Sequence, residues 1–289
     1  MAVATWIGTL RLRTLPAAAA PVIVGAAYAQ RIDAFALWPA LAALVAALLI
    51  QIGTNLANDH FDHKKGADTA DRAGPVRASA AGLLPTEQVR NAAYAAFALA
   101  GVLGLYLVFV GGWPILAIGL ASILSGLAYT AGPAPLAYKG LADLWVLVFF
   151  GPVAVAGTVY VQSGTFEPIA AAWGIALGLL ATAILVVNNL RDRPTDARAN
   201  KNTLAVRFGD RFSQLQWTAC VVGAFAVAFA IGHVEQDLWL LLPVAAAVLA
   251  AAPARRVWGD LADRRTLNPA LGSTARVLLI YAVLLAVAL

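Results

Sequence analysis

The sequence is poor in charge and has a single cysteine. Only 12% of its 289 residues are Asp, Glu, Lys or Arg, whereas soluble domains carry about 25%. Cys220 has no second cysteine to pair with, so an internal disulfide is excluded. A chain of this length with so few charges cannot cover a water-facing surface. The composition therefore disfavours a soluble globular protein.

Charged residues are absent from six long segments. These are residues 34–58, 91–138, 144–166, 168–190, 212–234 and 238–254. A membrane-spanning helix needs about 20 apolar residues to cross hydrocarbon about 30 Å thick. Soluble helices show a polar stripe at every turn, and most of these segments do not. We therefore predict an all-α, polytopic membrane protein with nine spans: 15–30, 38–57, 89–110, 113–131, 143–161, 169–190, 213–232, 237–252 and 272–289.

The spacing of the spans indicates one transmembrane domain over residues 1–289 with an internal repeat. Gly111-Gly112-Trp113-Pro114 divides the long second segment into two helices. Two long loops, at about 58–88 and 191–212, each follow an even-numbered span. This pattern predicts two four-helix units, at about 15–131 and 143–252, followed by a ninth helix at about 272–289.

The basic residues are distributed very unequally between the two sides of the predicted bundle. On this assignment, 19 of the 20 Lys and Arg residues fall on one side, and only Arg31 falls on the other. The positive-inside rule then places the N-terminus and the long loops in the cytoplasm and the C-terminus outside, in a multi-pass protein of the cell membrane. Topology explains the net charge of +5 better than a nucleic-acid partner does.

Two similar groups of polar residues end the second and sixth spans. Gln51, Asn55, Asp59 and Asp62 lie four, four and three residues apart and share one helix face. Gly66 is a plausible helix stop, which leaves Asp68 in the loop. In the second group, Asn188, Asp192 and Asp196 also share a face, and Pro194 is expected to end or bend the helix near Asp192.

Carboxylates crowded on one face repel each other, and a membrane boundary adds a desolvation cost. A cation would offset both effects, and Mg²⁺ typically binds through one or two carboxylates and the phosphates of a substrate. Two facing groups therefore predict a Mg²⁺–diphosphate site. Basic residues near them could contact the phosphate oxygens: Lys65, Arg72, Arg77, Arg191, Arg198 and Lys201. The alternative is that these residues are solvated loop charges that balance one another. The presence of two matching groups favours the metal–diphosphate site over this alternative.

Five further polar residues are interpreted structurally. His60 and His63 are expected to be solvated among the charges rather than to bind zinc. Tyr129 and Tyr138 flank a cytoplasmic turn, and their position alone predicts interfacial anchors. Asp143 is expected to cap the fifth helix.

Several segments together resemble the UbiA superfamily of intramembrane prenyltransferases. Within it, they resemble the branch that prenylates 1,4-dihydroxy-2-naphthoate in menaquinone biosynthesis. The matching segments are Arg13–Ala17, Asn55–Asp68, Gly74–Arg77, Tyr129–Tyr138, Phe149–Pro152, Asn188–Asp192 and Thr203–Arg207. The match has two departures. Gly66 stands where the superfamily often has a third aspartate, and residues 199–202 replace a usual Gly-Lys pair.

The resemblance implies transfer of a polyprenyl group from its diphosphate to dihydroxynaphthoate, with loss of CO₂ and diphosphate. It also implies that the reaction takes place in an apolar channel that is open to the lipid bilayer. It implies that Asp59, Asp62, Asp192 and Asp196 are catalytic and bind Mg²⁺. It implies substrate contacts for Asn55, Asn58, Lys65, Asp68, Arg72, Arg77, Tyr138, Lys139, Asn188, Arg191 and Lys201.

Two alternatives remain open at this point. The acceptor could be another aromatic compound, such as 4-hydroxybenzoate, which carries the same charge. A protein of a different class, a secondary transporter, would also show repeated halves and polar residues in its spans. The carboxylates, however, cluster at one membrane face and not at the midplane, which favours an enzyme.

Overall fold

The structure, a computed structural model, describes residues 2–66, 73–129, 131 and 135–289. Over these ranges it contains helices and no strands, which confirms the all-α fold class. The helices are α1 (Ala2–Leu10), α2 (Leu15–Arg31), α3 (Leu37–Lys64), α4 (Thr86–Gly111), α5 (Trp113–Ala128), α6 (Ala142–Phe149), α7 (Pro152–Ser163), α8 (Pro168–Arg198), α9 (Leu204–Glu235), α10 (Ala251–Val257) and α11 (Asn268–Ala288). A 3₁₀ segment, Leu238–Ala250, precedes α10.

Eight segments of the described chain are long and apolar enough to cross a membrane, and α5 is a shorter apolar helix of 16 residues. The prediction of nine spans therefore holds when α5 is counted as a span. Helices α3 and α8 continue past their predicted spans to Lys64 and Arg198, which confirms that each aspartate group is helical and that α3 ends before Gly66. The predicted repeat of two four-helix units stays a prediction.

Three local features of the helices can be compared with the sequence prediction, and one of them is confirmed. The break between α4 and α5 is confirmed, with Gly112 at a φ of 71°, which suits glycine. The predicted span 143–161 is interrupted, because α6 ends at Phe149 and α7 begins at Pro152. The N-terminal helix α1 was not predicted.

Helix α8 lies at the centre of the bundle and packs against α6, α7, α9 and α11. Trp173, Leu177 and Leu180 on it are fully buried. Small residues let its backbone approach the α6–α7 break closely: a Cβ added to Gly174 would lie 2.6 Å from Pro152 Cα. Close approach through small residues is a usual way for helices to pack in lipid, where no hydrophobic effect drives their association.

Pro194 was expected to end or bend helix α8. It does not end the helix, which continues to Arg198, and the bend stays a prediction. Proline has no N–H, which frees the carbonyl four residues earlier. That carbonyl, of Leu190, accepts a hydrogen bond of 2.6 Å from Arg264 Nη1. Arg264 also pairs with Asp210 at 2.7 Å, and Asp210 pairs with Arg193 at 3.0 Å. A side chain from the loop before α11 thus replaces the missing helical bond and keeps the second aspartate group helical.

Candidate active site

The first aspartate group is buried at the end of α3, on the single face that its spacing predicts. Asn55, Asp59 and Asp62 are 3%, 2% and 4% exposed. The Asn55 amide donates to Leu10 O at 3.0 Å and to Thr14 Oγ1 at 2.9 Å. These bonds tie the segment before α2 to α3.

The second aspartate group is held by a guanidinium. Arg191 and Asp192 are each 3% exposed. Arg191 Nε and Nη2 donate to the two Asp192 carboxylate oxygens at 2.8 Å and 2.7 Å, the bidentate geometry that suits this pair. Arg191 also donates to Asn188 Oδ1 at 2.8 Å and to Asn268 Oδ1 at 3.1 Å.

Lys201 and Tyr138 connect the two groups. Lys201 Nζ lies 3.6 Å from Asp62 Oδ2 and 3.9 Å from Asp196 Oδ1. The Tyr138 hydroxyl donates to Asp62 Oδ1 at 3.1 Å. The Lys65 and Lys201 ammonium nitrogens lie 4.8 Å and 5.5 Å from the centre of the Tyr138 ring, which is cation–π distance. The two helix ends that the sequence pairs by pattern therefore face one another.

A loop between α3 and α4, residues 73–84, contacts both groups. The Ser79 N–H donates to Asp59 Oδ1 at 2.9 Å. Gly74 lies against Arg191, because a Cβ added to Gly74 would be 2.8 Å from Arg191 Nη2. Arg77 of the same loop lines the central cavity. The 73–84 loop thus contacts both aspartate groups and contributes Arg77 to the cavity wall.

The ionisation of the groups outside the spans follows from burial and from the carboxylates. Burial alone would lower the pKa of Lys201, but Asp62 and Asp196 outweigh it and hold that pKa above its ordinary value. Burial raises the pKa of Tyr129 to about 12. Burial, followed by the charge of Asp62, raises the pKa of Tyr138 above its ordinary value. At neutral pH, Lys201 is therefore a cation and both tyrosines are neutral hydrogen-bonding groups.

A cavity of about 680 Å³ joins this polar region to the apolar interior. One face of α3 lines it from Ala43 to Asp62, a length of about 28 Å at 1.5 Å per residue. Its polar end includes Arg11, Asn188 and Lys201. Farther along it is lined by apolar and small residues such as Leu105, Gly119 and Val161. The cavity combines a charged end with a long apolar section.

Of the predicted site residues, six line this cavity: Asn55, Asn58, Asp62, Arg77, Asn188 and Lys201. Asp59, Asp192 and Asp196 are buried beside it and are not among its lining residues. The Arg191 guanidinium hydrogen bonds to Asp192, Asn188 and Asn268. Its main role is therefore to hold the site together, and contact with a substrate is secondary. Lys139 is exposed, and its carbonyl accepts from Arg207. The predicted residues Asp68 and Arg72 lie outside the described residues.

Several residues at the site were missed by the sequence reasoning. Arg11 and Thr14 line the cavity from the segment before α2, and Asn189 lines it from α8. Ser79 and Asn268 contact the aspartate groups through single hydrogen bonds. Asn189 could have been predicted, because it directly follows Asn188 in the sequence. Ser79 and Asn268 could not, because their partners lie in distant segments and no local spacing pattern indicates such contacts.

Three structural interpretations were wrong. His60 is 2% exposed and hydrogen bonds Thr86 Oγ1 at 2.8 Å, so it is not solvated. Asp143 does not cap α6, whose N-cap residue is Leu141; instead it accepts a bond of 3.0 Å from Gln216. Tyr129, expected to be a membrane anchor, lines the cavity.

The donor set suits Mg²⁺ if a substrate completes the coordination. Within the described ranges, no three His, Cys, Asp or Glu side chains are close enough together to hold a metal ion. Mg²⁺, however, usually takes one or two carboxylates and fills its remaining positions with water and phosphate oxygens. Asp62 and Asp196, which converge on Lys201, can supply carboxylate oxygens of this kind, with Asp59 and Asp192 buried beside them.

The fold and site define a helical integral membrane protein with a buried acidic and basic centre at one end of an apolar cavity. The UbiA prenyltransferase family model matches residues 18–270. The chain belongs to this family.

Known proteins extend this similarity over nearly the whole chain. A 1,4-dihydroxy-2-naphthoate octaprenyltransferase of Mycobacterium tuberculosis is 39% identical over 99% of this chain and 97% of its own length. The protein of the same name from Escherichia coli is 38% identical, over 94% and 90%. The solved structure of a UbiA homolog from Archaeoglobus fulgidus bound to GPP and Mg²⁺ superposes with a TM-score of 0.66, covering 97% of this chain and 99% of that one at 14% identity. At that identity the structural match shows the fold alone.

Proposed function

We propose that the protein transfers a polyprenyl group from polyprenyl diphosphate to 1,4-dihydroxy-2-naphthoate, releasing CO₂ and diphosphate. The observation that carries the proposal is the cavity that leads from Lys201, Asp62 and Arg77 into a long apolar section. A substrate with a diphosphate head and a hydrocarbon tail matches both ends. The names of the mycobacterial and Escherichia coli relatives support the choice of acceptor.

The carboxylates have the role of holding Mg²⁺ against the diphosphate. Asp59, Asp62, Asp192 and Asp196 would hold the ion, which when bound supplies positive charge to the leaving diphosphate. The C1–O bond of the prenyl group breaks with its electron pair remaining on the diphosphate. Lys201, as a buried cation at the polar end, stabilises the same developing charge.

The apolar walls protect the allylic cation that this bond cleavage leaves behind. Water would capture such a cation, so a cavity lined by Ala, Leu and Val side chains favours attack by the electron-rich ring of the acceptor. The naphthoate carboxylate is an anion, and Arg11 and Arg77 present positive charge at the polar end. The ring forms its new carbon–carbon bond to C1, and the carboxylate leaves as CO₂.

The acceptor assay tests this proposal directly. Purified protein is incubated with Mg²⁺, a polyprenyl diphosphate and either dihydroxynaphthoate or 4-hydroxybenzoate, and products are identified by mass spectrometry. The bicyclic ring buries more apolar surface, and about 40 Å² of it is worth about 1 kcal/mol. We therefore expect turnover of dihydroxynaphthoate at least about fivefold faster, with CO₂ released in step. Preferred prenylation of 4-hydroxybenzoate with its carboxylate retained would overturn the acceptor assignment, and diphosphate retained with every acceptor would favour a transporter.

We further propose that the protein lies in the cytoplasmic membrane with its N-terminus and aspartate groups facing the cytoplasm and its C-terminus outside. The support is the concentration of Lys and Arg on the side of the long loops. Reporters fused at Leu289 should read external, and reporters inserted at about residue 260 should read cytoplasmic. A cytoplasmic reading at Leu289 would contradict the nine-span topology.

A further inference from the structure

We propose that Asn268, the first residue of α11, is a positioning residue that docks the 73–84 loop onto the second aspartate group. It acts on the cavity through Arg77 and does not itself contact substrate. The proposal rests on the transferase function proposed above, and it assigns a role to a residue far from either aspartate group in the sequence.

The two ends of the Asn268 amide make different bonds. Its Nδ2 donates to Ala73 O at 2.9 Å, at the start of the described part of the loop. Its Oδ1 accepts from Arg191 Nη1 at 3.1 Å. Asparagine can do both because its amide carries a donor and an acceptor. One half-buried side chain therefore connects the loop to the guanidinium that holds Asp192.

The loop is seated on the same guanidinium by direct contact. A Cβ on Gly74 would lie 2.8 Å from Arg191 Nη2 and 2.9 Å from its Cζ. The guanidinium has little freedom to move aside, because its bonds to Asp192, Asn188 and Asn268 fix its position. Gly74 is thus the residue type that this close approach requires, and Asn268 supplies the polar bond beside it.

Docking at one end of the loop determines what its other residues contact. Three residues after Gly74, Arg77 lines the polar end of the cavity. Two residues farther, the Ser79 N–H binds Asp59. Ala78 and Leu84 are buried in a cluster with Leu56 and Val89, which holds the far end of the loop in place. Loss of the Asn268 bond should therefore loosen residues 73–77 and displace Arg77, while the packed end remains in place.

The first test separates a positioning role from a structural one. Asn268→Ala removes both bonds, whereas Asn268→Asp keeps an acceptor for Arg191 and removes the donor to Ala73. Both variants should raise the KM for polyprenyl diphosphate by about three- to tenfold, the effect of one or two hydrogen bonds, with kcat within about twofold of wild type. Gly74→Ala should reproduce this shift from the other side of the contact. Ser273→Ala, at a half-buried position on the same helix where the hydroxyl donates to Pro269 O, is the matched control and should leave KM unchanged.

The second test asks whether Asn268 acts through Arg77. If it does, Asn268→Ala should have little further effect on KM in an Arg77→Gln background, whereas independent residues would give additive changes. Hydrogen exchange supplies a readout that needs no substrate: the backbone amides of Ala73, Gly74, Val76 and Arg77 should exchange faster in Asn268→Ala, with those of α8 unchanged. An unaltered exchange rate, additive KM effects, or a fall in thermal stability without a KM change would each overturn the proposal. Wild-type turnover in the same assay reports separately on the transferase function.

Discussion

The two aspartate groups share a residue pattern but are held by different chemistry. On α3, the Asn55 amide donates hydrogen bonds to the Leu10 carbonyl and the Thr14 hydroxyl. The Asp59 carboxylate accepts a hydrogen bond from the Ser79 backbone N–H. On α8, Asn188 and Asp192 both bind the guanidinium of Arg191. Positions that match in the sequence pattern therefore need not be stabilised in the same way. A carboxylate paired with a buried cation is coupled to the stability of the fold more strongly than one bound to a neutral donor.

The largest effect expected from either group is on turnover, and here the two should behave alike. Asp59→Asn and Asp192→Asn each remove one negative charge from the proposed metal site. We expect kcat/KM for prenyl transfer to fall by about 100- to 1000-fold in both, the scale of losing one preorganised electrostatic contact. Asp260→Asn, in an exposed loop, is the control with an unchanged rate. Near-normal turnover in one of the two variants would show that only the other group serves the metal.

The free energy of unfolding should distinguish the two aspartate groups, although turnover does not. Asp192→Ala leaves Arg191 buried without its carboxylate, and such a loss costs about 3–5 kcal/mol. Asp59→Ala loses one hydrogen bond to Ser79, worth about 1 kcal/mol. Denaturation of the purified proteins in the same detergent measures the difference. Adding Arg191→Leu to Asp192→Ala should recover part of the loss. Equal destabilisation by Asp192→Ala and Asp59→Ala would mean that the two groups are coupled to the fold equally.

Lys201 tests the contact at which the two groups meet. Lys201→Met should leave Asp62 and Asp196 facing each other without their shared cation, which we expect to lower the free energy of unfolding by about 1–2 kcal/mol. Because a bound ligand stabilises the folded state by mass action, Mg²⁺ should then raise the melting temperature more in this variant than in wild type. Lys139→Met, at an exposed neighbouring position, provides the control. An identical Mg²⁺ response in Lys201→Met and wild type would argue against a metal between the groups.

The smallest expected effect concerns the asparagines. Asn55→Ala should cost about 1 kcal/mol and loosen the segment before α2, since it removes the bonds to Leu10 and Thr14. Limited trypsin digestion should then cleave faster after Arg11 and Arg13. Asn188→Ala should leave that cleavage rate unchanged, because its partner is Arg191. Faster cleavage in both variants would mean that the two asparagines do share one structural role.

The class of protein and the two helix ends that form the candidate site could be predicted from the sequence because both depend on local regularities. Runs without charge specify helices that cross a membrane, since each buries its own backbone hydrogen bonds. Spacings of three and four residues put Asp59 and Asp62 on one face of α3, and the structure confirms this. The same logic failed at Pro194, where a bond from the distant Arg264 replaces the missing helical one and keeps the helix intact.

What the sequence determined by itself was the membrane-spanning helical architecture and the two polar helix ends, because periodicity and composition act within one helix. Only the tertiary structure decided how those charges are compensated. Arg191 pairs with Asp192 because the two residues are adjacent in the sequence. Its contacts with Asn268 and Gly74, in contrast, depend on how α8, α11 and the 73–84 loop pack together. Lys201 lies between Asp62 and Asp196 for the same reason. A hydrogen bond or ion pair acts over a few ångströms, so its partners are chosen by packing and not by separation along the chain.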